Sequence, residues 1–279
     1  MRISCRALVQ RLVTYPLLLP IMPLYKLAEN KRPVLDVFYL FRGTPHGYLK
    51  DATRIARYEG LCMAFPFNED PSFDDVWLRN VYYPYGPQRD HVVVDVGAHV
   101  GSFTLKIARS VHKVVAIEPD PSNFCFLKSN VVLNRLEDKI SCYNLALGER
   151  NGKAFLDRSG YGYGRSKTTT VKSQCPTIVR KLDAFVEELE PDRLDLVKVD
   201  TEGSEIDILK GAERTLREYR PKLLLAAYHF ANEHLMLARQ LRKHEYRVCY
   251  YEVPFFLSTH KEPYLFSESK QSVLGDQIR

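Results

Sequence analysis

The stretch VVVDVGAHVGSF, Val92 to Phe103, places Asp95 two residues before Gly97 and a second glycine, Gly101, four residues further on, with Ala98 and His99 between them. A β-branched run, an acid, spaced glycines and an amphipathic segment describe a buried strand turning into a helix. α/β proteins hold adenosine-containing cofactors at that junction. A dinucleotide would bring a pyrophosphate to this turn, against bare backbone N–H groups and the positive end of a helix. A carboxylate is a poor neighbour for phosphate and suits a cation. S-adenosylmethionine carries an α-ammonium and a sulfonium and has no phosphate. Asp95 is therefore expected to face a methyl donor, and Gly97 and Gly101 to let the backbone pass close to it. His99 stands where many such loops carry another glycine. Glu118, ending the next strand, is expected to accept the ribose hydroxyls.

A second constellation lies in LDLVKVDTEGSEIDILKGAERTL, Leu194 to Leu216. Its strand delivers Asp200 to the same rim, Gly203 permits a sharp turn, and Ser204 with Asp207 has the spacing of a capping box. Glu202 either joins the site or complements the helix N-terminus. His229 ends the later strand LLLAAYH. Methyl transfer from a sulfonium is an in-line displacement whose main demand is alignment, and an alcohol acceptor also loses a proton. His229 is the first candidate for the base, because imidazole titrates near neutral pH, and Asp200 is the second. Asp200 and His229 suit a metal, but no further ligand is indicated, so none is expected. The GYGYGRS loop, Gly160 to Ser166, suits either a substrate cover or an exposed turn.

These residues need a parallel sheet to gather them. Strands are expected at HVVVDVG, HKVVAIEPD, KISCYNLALG, LDLVKVD and PKLLLAAYH, and helices over Ser102–Ser110, Pro121–Asn134, from near Asp183, over Ser204–Tyr219 and over Asn232–His244. Such alternation builds an open sheet covered on both faces. GKAFLDRSGYGYGRSKTTTV interrupts it as a hairpin-like insertion, and YRVCYYEV with YLFSES is expected to close the sheet as an antiparallel pair. YYPYGPQRD, with two prolines and a glycine, is the strongest break before the regular pattern.

The 279 residues suit one large domain with an extension in front, and an apolar share of 45% supports a real core. The net charge of +6 is uneven: residues 1–60 hold ten Lys and Arg against four Asp and Glu, and residues 61–279 hold thirty of each. A basic arm of this kind suits RNA phosphates, an anionic membrane surface, or a solvated face. Arg2, Arg6, Gln10, Arg11 and Thr14 form a polar stripe at helical spacing that should stop near Pro16. The apolar run from Leu12 to Tyr25 is too short to span a bilayer and carries three prolines, and no small-residue cleavage site follows it. In the next segment LDVFYLF, GYLKDATRIARYEG and GLCMAF suggest short strands or helical turns, and FDDVWLRNVYY a helix or turn carrying Trp77. Six cysteines without a C-x-x-C pair fit neither a zinc framework nor a disulfide scaffold; the simplest home is a reducing, cytoplasmic one, peripheral to a membrane if the arm binds there.

VVVDVGAHVGSFTLKIAR, VVAIEPDPSNFCFLKSNVVLN, LALGERNGKAFL, RKLDAFVEE and LDLVKVDTEGSEIDILKGAERTL closely resemble, in order and spacing, the FkbM-type S-adenosylmethionine-dependent methyltransferases over roughly residues 70–255. The element Asp200, Glu202, Gly203, Glu205 is the most specific part. The resemblance implies an α/β class I methyltransferase fold, a Rossmann-like doubly wound seven-stranded sheet with a C-terminal antiparallel hairpin. It divides the chain into a basic extension, 1–69, and a methyltransferase domain, 70–279. It places Asp95, Gly97, Ala98, His99 and Gly101 on the methionine side, Glu118 on the ribose, and Asn144 to Ala146 as an adenine wall, with His99 standing where the family commonly has Asn. It implies transfer to a hydroxyl oxygen on a glycan, a lipid-linked saccharide or a small metabolite. Two competitors are an RNA methyltransferase that uses the basic arm and a cofactor-binding interaction module without catalysis.

Overall fold

The computed structural model describes residues 18–27, 33–41, 53–58, 60–66, 76, 82, 86–157, 167–169, 175–252 and 255–260. The helical stripe expected before Pro16, the segment around Trp77, the Gly160–Ser166 loop and the strand YLFSES lie outside them.

Strands β1 (Leu18–Leu27), β2 (Pro33–Phe41), β3 (Thr53–Tyr58) and β4 (Leu61–Pro66) form an antiparallel sheet in sequence order. The short apolar stretches of this region are thus strands rather than helical turns, and β1 bridges Pro20 and Pro23 with a register shift. Met63, Ala64 and Phe65 of β4 are buried in one core with side chains from residues 93–140.

Along the rest of the chain come β5 (Val92–Val96), α1 (Ser102–Ala108), β6 (Lys113–Ile117), α2 (Pro121–Asn134), β7 (Ile140–Tyr143) and β8 (Ala146–Leu147). β9 (Gly152–Asp157), β10 (Lys167–Thr169), β11 (Pro176–Arg180), α3 (Leu182–Leu189), β12 (Leu196–Val199), α4 (Glu205–Lys210) and α5 (Glu213–Glu218) follow, then β13 (Lys222–Ala226), α6 (Glu233–Arg242), β14 (Arg247–Glu252) and β15 (Phe255–His260). The main sheet has the order β14-β15-β13-β12-β5-β6-β7. β7, β6, β5, β12 and β13 run parallel, and β15 lies antiparallel to both β13 and β14. The strand order reverses between β5 and β12, so the crevice beyond their carboxyl ends is the ligand position of such a sheet. β8 to β11 form a separate small sheet, in which β9 and β10 pair as a hairpin.

Period-2 alternation sorts the strands between two apolar layers. Val93 and Leu196 face α1, α2 and β4, while Val94, Val96, Val197 and Val199 face the layer that contains residues of α3, α4, α5 and α6. α2 starts where Asp120 accepts from the N–H groups of Ser122 and Asn123 with Pro121 in the first turn. Its buried side also seals the edge of the N-terminal sheet. The Asn130 amide accepts from the Ala64 N–H and donates to the Ala64 carbonyl, and Asn134 does the same for Cys62. Two amides four residues apart on a helix thereby serve β4 as a neighbouring strand would.

Two expected elements differ. The helix over Ser204–Tyr219 is two helices, α4 and α5, broken at Gly211, where the backbone lies so close to the Gly148 carbonyl that a Cβ would stand 2.1 Å from its oxygen. The strand paired with β14 is Phe255–His260, with Glu252 opposite Phe255, whereas the expected partner YLFSES lies outside the described residues. A register that tight leaves room for only Val253 and Pro254 between the strands.

Candidate active site

Asp95 is not at the rim. It faces the α1 and α2 layer, fully buried, where its carboxylate accepts from Thr104 Oγ1 at 2.5 Å and pairs with Lys198 Nζ at 3.0 Å. Lys198 is the residue directly across from it in the parallel register of β12. The ammonium also donates to the Gly97 carbonyl at 2.9 Å and lies 5.8 Å from the Tyr82 ring centre. Burial disfavours its charge, but Asp95 and Asp200 outweigh that and raise its pKa. The direct contact between Asp95 and a cationic ligand expected from the sequence is replaced by an internal ion pair that holds the loop from beneath.

Four of the loop's N–H groups are already spent. Those of Gly97 and Ala98 donate to the Ile117 carbonyl, that of Gly101 to Ala98, and that of His99 to Glu118 Oε2 at 2.8 Å. A pyrophosphate would need such donors free. The glycines also have a different reason from the one expected. Gly97 and Gly101 both have positive φ; a Cβ on Gly97 would stand 1.9 Å from the Asp200 carbonyl oxygen, and one on Gly101 would stand 2.8 Å from Leu127. They allow the loop to pack on its own neighbours. His99 takes a left-handed conformation, φ 53°, which explains why glycine or asparagine suits that position.

Glu118 is 5% exposed at the end of β6, and each of its oxygens accepts one backbone N–H, from Asp120 and from His99. Each oxygen keeps a second lone pair, which fits a ribose diol. Burial pushes its carboxyl up to about 7, against the pull of His99 and the two backbone donors. Asn144 spends its amide nitrogen on the carbonyls of Glu118 and Pro119, tying the ends of β6 and β7 together. Ala146 is buried in β8, paired with Val179 in the small sheet.

Across the reversal point the ends of β12 and β13 bring Asp200, Glu202, Glu205 and His229 together with Glu233 of α6. His229 Nε2 lies 3.5 Å from Asp200 and 3.7 Å from Glu202; Nδ1 lies 3.4 Å from Glu205 and 3.5 Å from Glu233. Asp200 also accepts from the hydroxyls of Tyr82, at 3.0 Å, and Tyr228, at 3.5 Å. Burial would raise the Asp200 carboxyl, but His229, Lys198 and Tyr82 bring it down to about 2. Burial would lower His229, but the carboxylates around it, at ion-pair distance, push it up to about 12. An imidazole held in this way keeps its proton at neutral pH, so its surroundings do not support the base role expected of it.

The turn that carries Asp200 and Glu202 takes left-handed conformations at Glu202, φ 58°, and Gly203, φ 103°. The expected capping box is not made: Ser204 forms no side-chain cap, and Asp207 pairs with Lys210. Glu205 instead reaches back to the Thr201 N–H and hydroxyl, which fixes the turn. Lys198, Thr104, Tyr82, Glu205 and Glu233 were not assigned to the site from sequence. One signal was available, since a single lysine in the apolar run LVKV requires a buried partner.

A Rossmann-like sheet with a glycine loop after its first parallel strand and a buried acid at the end of the next is the arrangement of a class I methyltransferase. The model of the methyltransferase FkbM domain matches residues 95–248, and the chain belongs to that family, whose cofactor is S-adenosylmethionine. Curated relatives include the tRNA(Phe) (4-demethylwyosine(37)-C(7)) aminocarboxypropyltransferase of Pyrococcus horikoshii, 43% identical over 75 residues, 26% of this chain and 27% of the relative. Another is the hexuronic acid methyltransferase AglP of Haloferax volcanii, 26% identical over 130 residues, 47% of this chain and 53% of the relative. The chain thus spans between about a quarter and about half of these two relatives' lengths. The crystal structure of methyltransferase FkbM from Methylobacillus flagellatus shares the fold, with a TM-score of 0.50 and 22% identity over 67% of this chain and 48% of that one. Among the described residues no helix is long and apolar enough to cross a membrane.

Proposed function

We propose that this chain transfers the methyl group of S-adenosylmethionine to a hydroxyl oxygen of a saccharide or another polyhydroxylated acceptor. Glu118 holds the ribose, and the loop from Gly97 to Gly101, braced by Asp95 and Lys198, holds the methionine side. The cofactor supplies an electrophilic methyl on a sulfonium. Asp200 accepts the hydrogen bond of the acceptor hydroxyl, which turns the hydroxyl's lone pair toward that methyl, and takes up the proton the hydroxyl loses before passing it to water; alignment provides most of the rate gain. Tyr82 keeps Asp200 in place.

The observation that carries the choice of acceptor is the acidic and aromatic rim. Asp200 and Glu202 flank His229, the exposed Tyr228 lies with its ring 4.5 Å from the imidazole and its hydroxyl on Asp200, and Phe230, the next residue after His229, is also exposed. Carboxylates accept from sugar hydroxyls and aromatic faces cover sugar rings, whereas the same carboxylates repel a phosphate backbone. The hexuronic acid relative agrees with a sugar acceptor. A second reading, methylation of tRNA through the basic residues 1–60, is favoured by the relatives named as acting on tRNA.

The test incubates the purified chain with methyl-labelled S-adenosylmethionine, uronic-acid and neutral oligosaccharides, and total tRNA. Label in a base-stable sugar ether supports the proposal. Label confined to nucleobases, with binding that falls steeply with salt, replaces it by the second reading. No cofactor binding at all overturns both.

A further inference from the structure

Four carboxylates surround one imidazole, and the arrangement is unbalanced. Lys198 also acts on Asp200 from beneath, but the four carboxylates share one imidazole at ion-pair distance, in a region where Glu205 and Glu233 are fully buried and the His229 side chain is 5% exposed. Burying uncompensated like charges is costly. Polar capacity is also left over: neither nitrogen of His229 makes a hydrogen bond, and neither does Glu205 Oε2 or Glu233 Oε1. Both imidazole nitrogens face carboxylates of the cluster, at 3.4–3.7 Å. Asp200, Glu205 and His229 each bring one ligand atom within 4.8 Å of the others.

We propose that Asp200, Glu205 and His229 bind a divalent cation, with Glu202 and Glu233 as flanking carboxylates. The donors are carboxylate oxygens and one imidazole, with no thiolate, a set that suits Mn2+ or Mg2+ rather than a soft metal. On binding, His229 releases its proton to solvent and coordinates through the freed nitrogen, so a double positive charge takes the place of a single one. The sequence indicated only Asp200 and His229 as ligands; the third, Glu205, arrives because α4 begins immediately after the left-handed turn at Glu202 and Gly203. The cation would sit beside Asp200, at the rim of the crevice. There it would orient an acceptor hydroxyl and lower its pKa, a step that rests on the methyl-transfer reading. Binding itself does not.

The test uses the full chain freed of metal with a chelator and titrated with Mn2+, reading free Mn2+ by electron paramagnetic resonance. Cofactor affinity is measured in the same samples by calorimetry. One Mn2+ per chain is expected, displaced by excess Mg2+, with nitrogen modulation in the electron spin echo from His229. Asp200→Asn and Glu205→Gln should each weaken Mn2+ binding at least tenfold, and His229→Gln should abolish the nitrogen signal. Asp195→Asn, a carboxylate at the opposite end of β12, should leave binding unchanged. Should Glu205→Gln not fold, the wild type and the partly exposed Asp200 variant decide the matter. Absence of stoichiometric binding by the wild type, or equal binding by wild type and Asp200→Asn, overturns the proposal. If S-adenosylmethionine still binds in that case, only the cation site is lost; if neither binds, the methyltransferase reading fails with it.

Discussion

Removing one member of the buried pair beneath the loop tests what Asp95 does. In Asp95→Leu the Lys198 ammonium is stranded in an apolar layer with only the Gly97 carbonyl as hydrogen-bond acceptor; in Lys198→Met the Asp95 carboxylate keeps only Thr104. Breaking a buried pair in this way costs about 3–5 kcal/mol, a large part of the roughly 5–15 kcal/mol by which domains are stable. At about 2–4 °C per kcal/mol for a domain of this size, each single variant should lose roughly 6–20 °C in Tm. The double variant Asp95→Leu with Lys198→Met removes both charges and gives up two hydrogen bonds, worth about 1 kcal/mol each. It should therefore be about 1–3 kcal/mol more stable than either single variant. Urea and thermal unfolding followed by circular dichroism measure all four proteins, and calorimetry with S-adenosylmethionine measures the loop. If Asp95 faced the cofactor instead, Asp95→Leu would keep its Tm and lose only affinity. That outcome, or losses in the double variant that equal the sum of the singles, would refute the buried-pair account.

Three further outcomes are expected. Glu118 has a folded pKa raised from 4.5 to about 7, so its protonated form favours folding; that contribution is complete below pH 4.5 and is lost as pH rises through 7. Glu118→Gln should accordingly stabilise the cofactor-free protein at pH 8 by up to about 3 kcal/mol and not at pH 4, as read by urea unfolding. Because ribose hydroxyls need the carboxylate, wild-type cofactor affinity should fall by up to about tenfold per pH unit below 7, while the Gln variant shows a weaker and flat profile in calorimetry. Asn130→Ala leaves the Ala64 N–H and carbonyl without their buried partner and should cost about 2–4 kcal/mol; unchanged Tm and unchanged hydrogen exchange at Ala64 would count against the edge-sealing role. Gly97→Ala forces a methyl group against the Asp200 carbonyl and should reduce cofactor affinity more than tenfold, a result that Asn144→Ala, at the wall, should not reproduce.

Much of the fold was legible because its signals are local. VVVDV, KVVAI, LVKV and KLLLA are short apolar runs bounded by turn residues, and Asp120 before Pro121 announces a helix start. The element boundaries that went astray depend on distant atoms: nothing next to Gly211 says that the Gly148 carbonyl will lie against it. The site divides in the same way. That Asp200 and His229 share a rim with Glu118 followed from their places at strand ends, whereas the partners of Asp95 did not follow from its neighbours.

The amino-acid order alone determined which side chains stand at the carboxyl ends of strands, because a strand's period and its turn residues are properties of a few consecutive positions. Only the assembled structure decided what each carboxylate meets. Asp95 and Lys198 are 103 positions apart in the chain and become cross-strand neighbours through β5 and β12, and His229 acquires three acids from residues 200–205 beside a fourth, Glu233, four positions along its own segment. The charge state of a buried group depends on everything within a few ångströms of it, and that neighbourhood is made by packing.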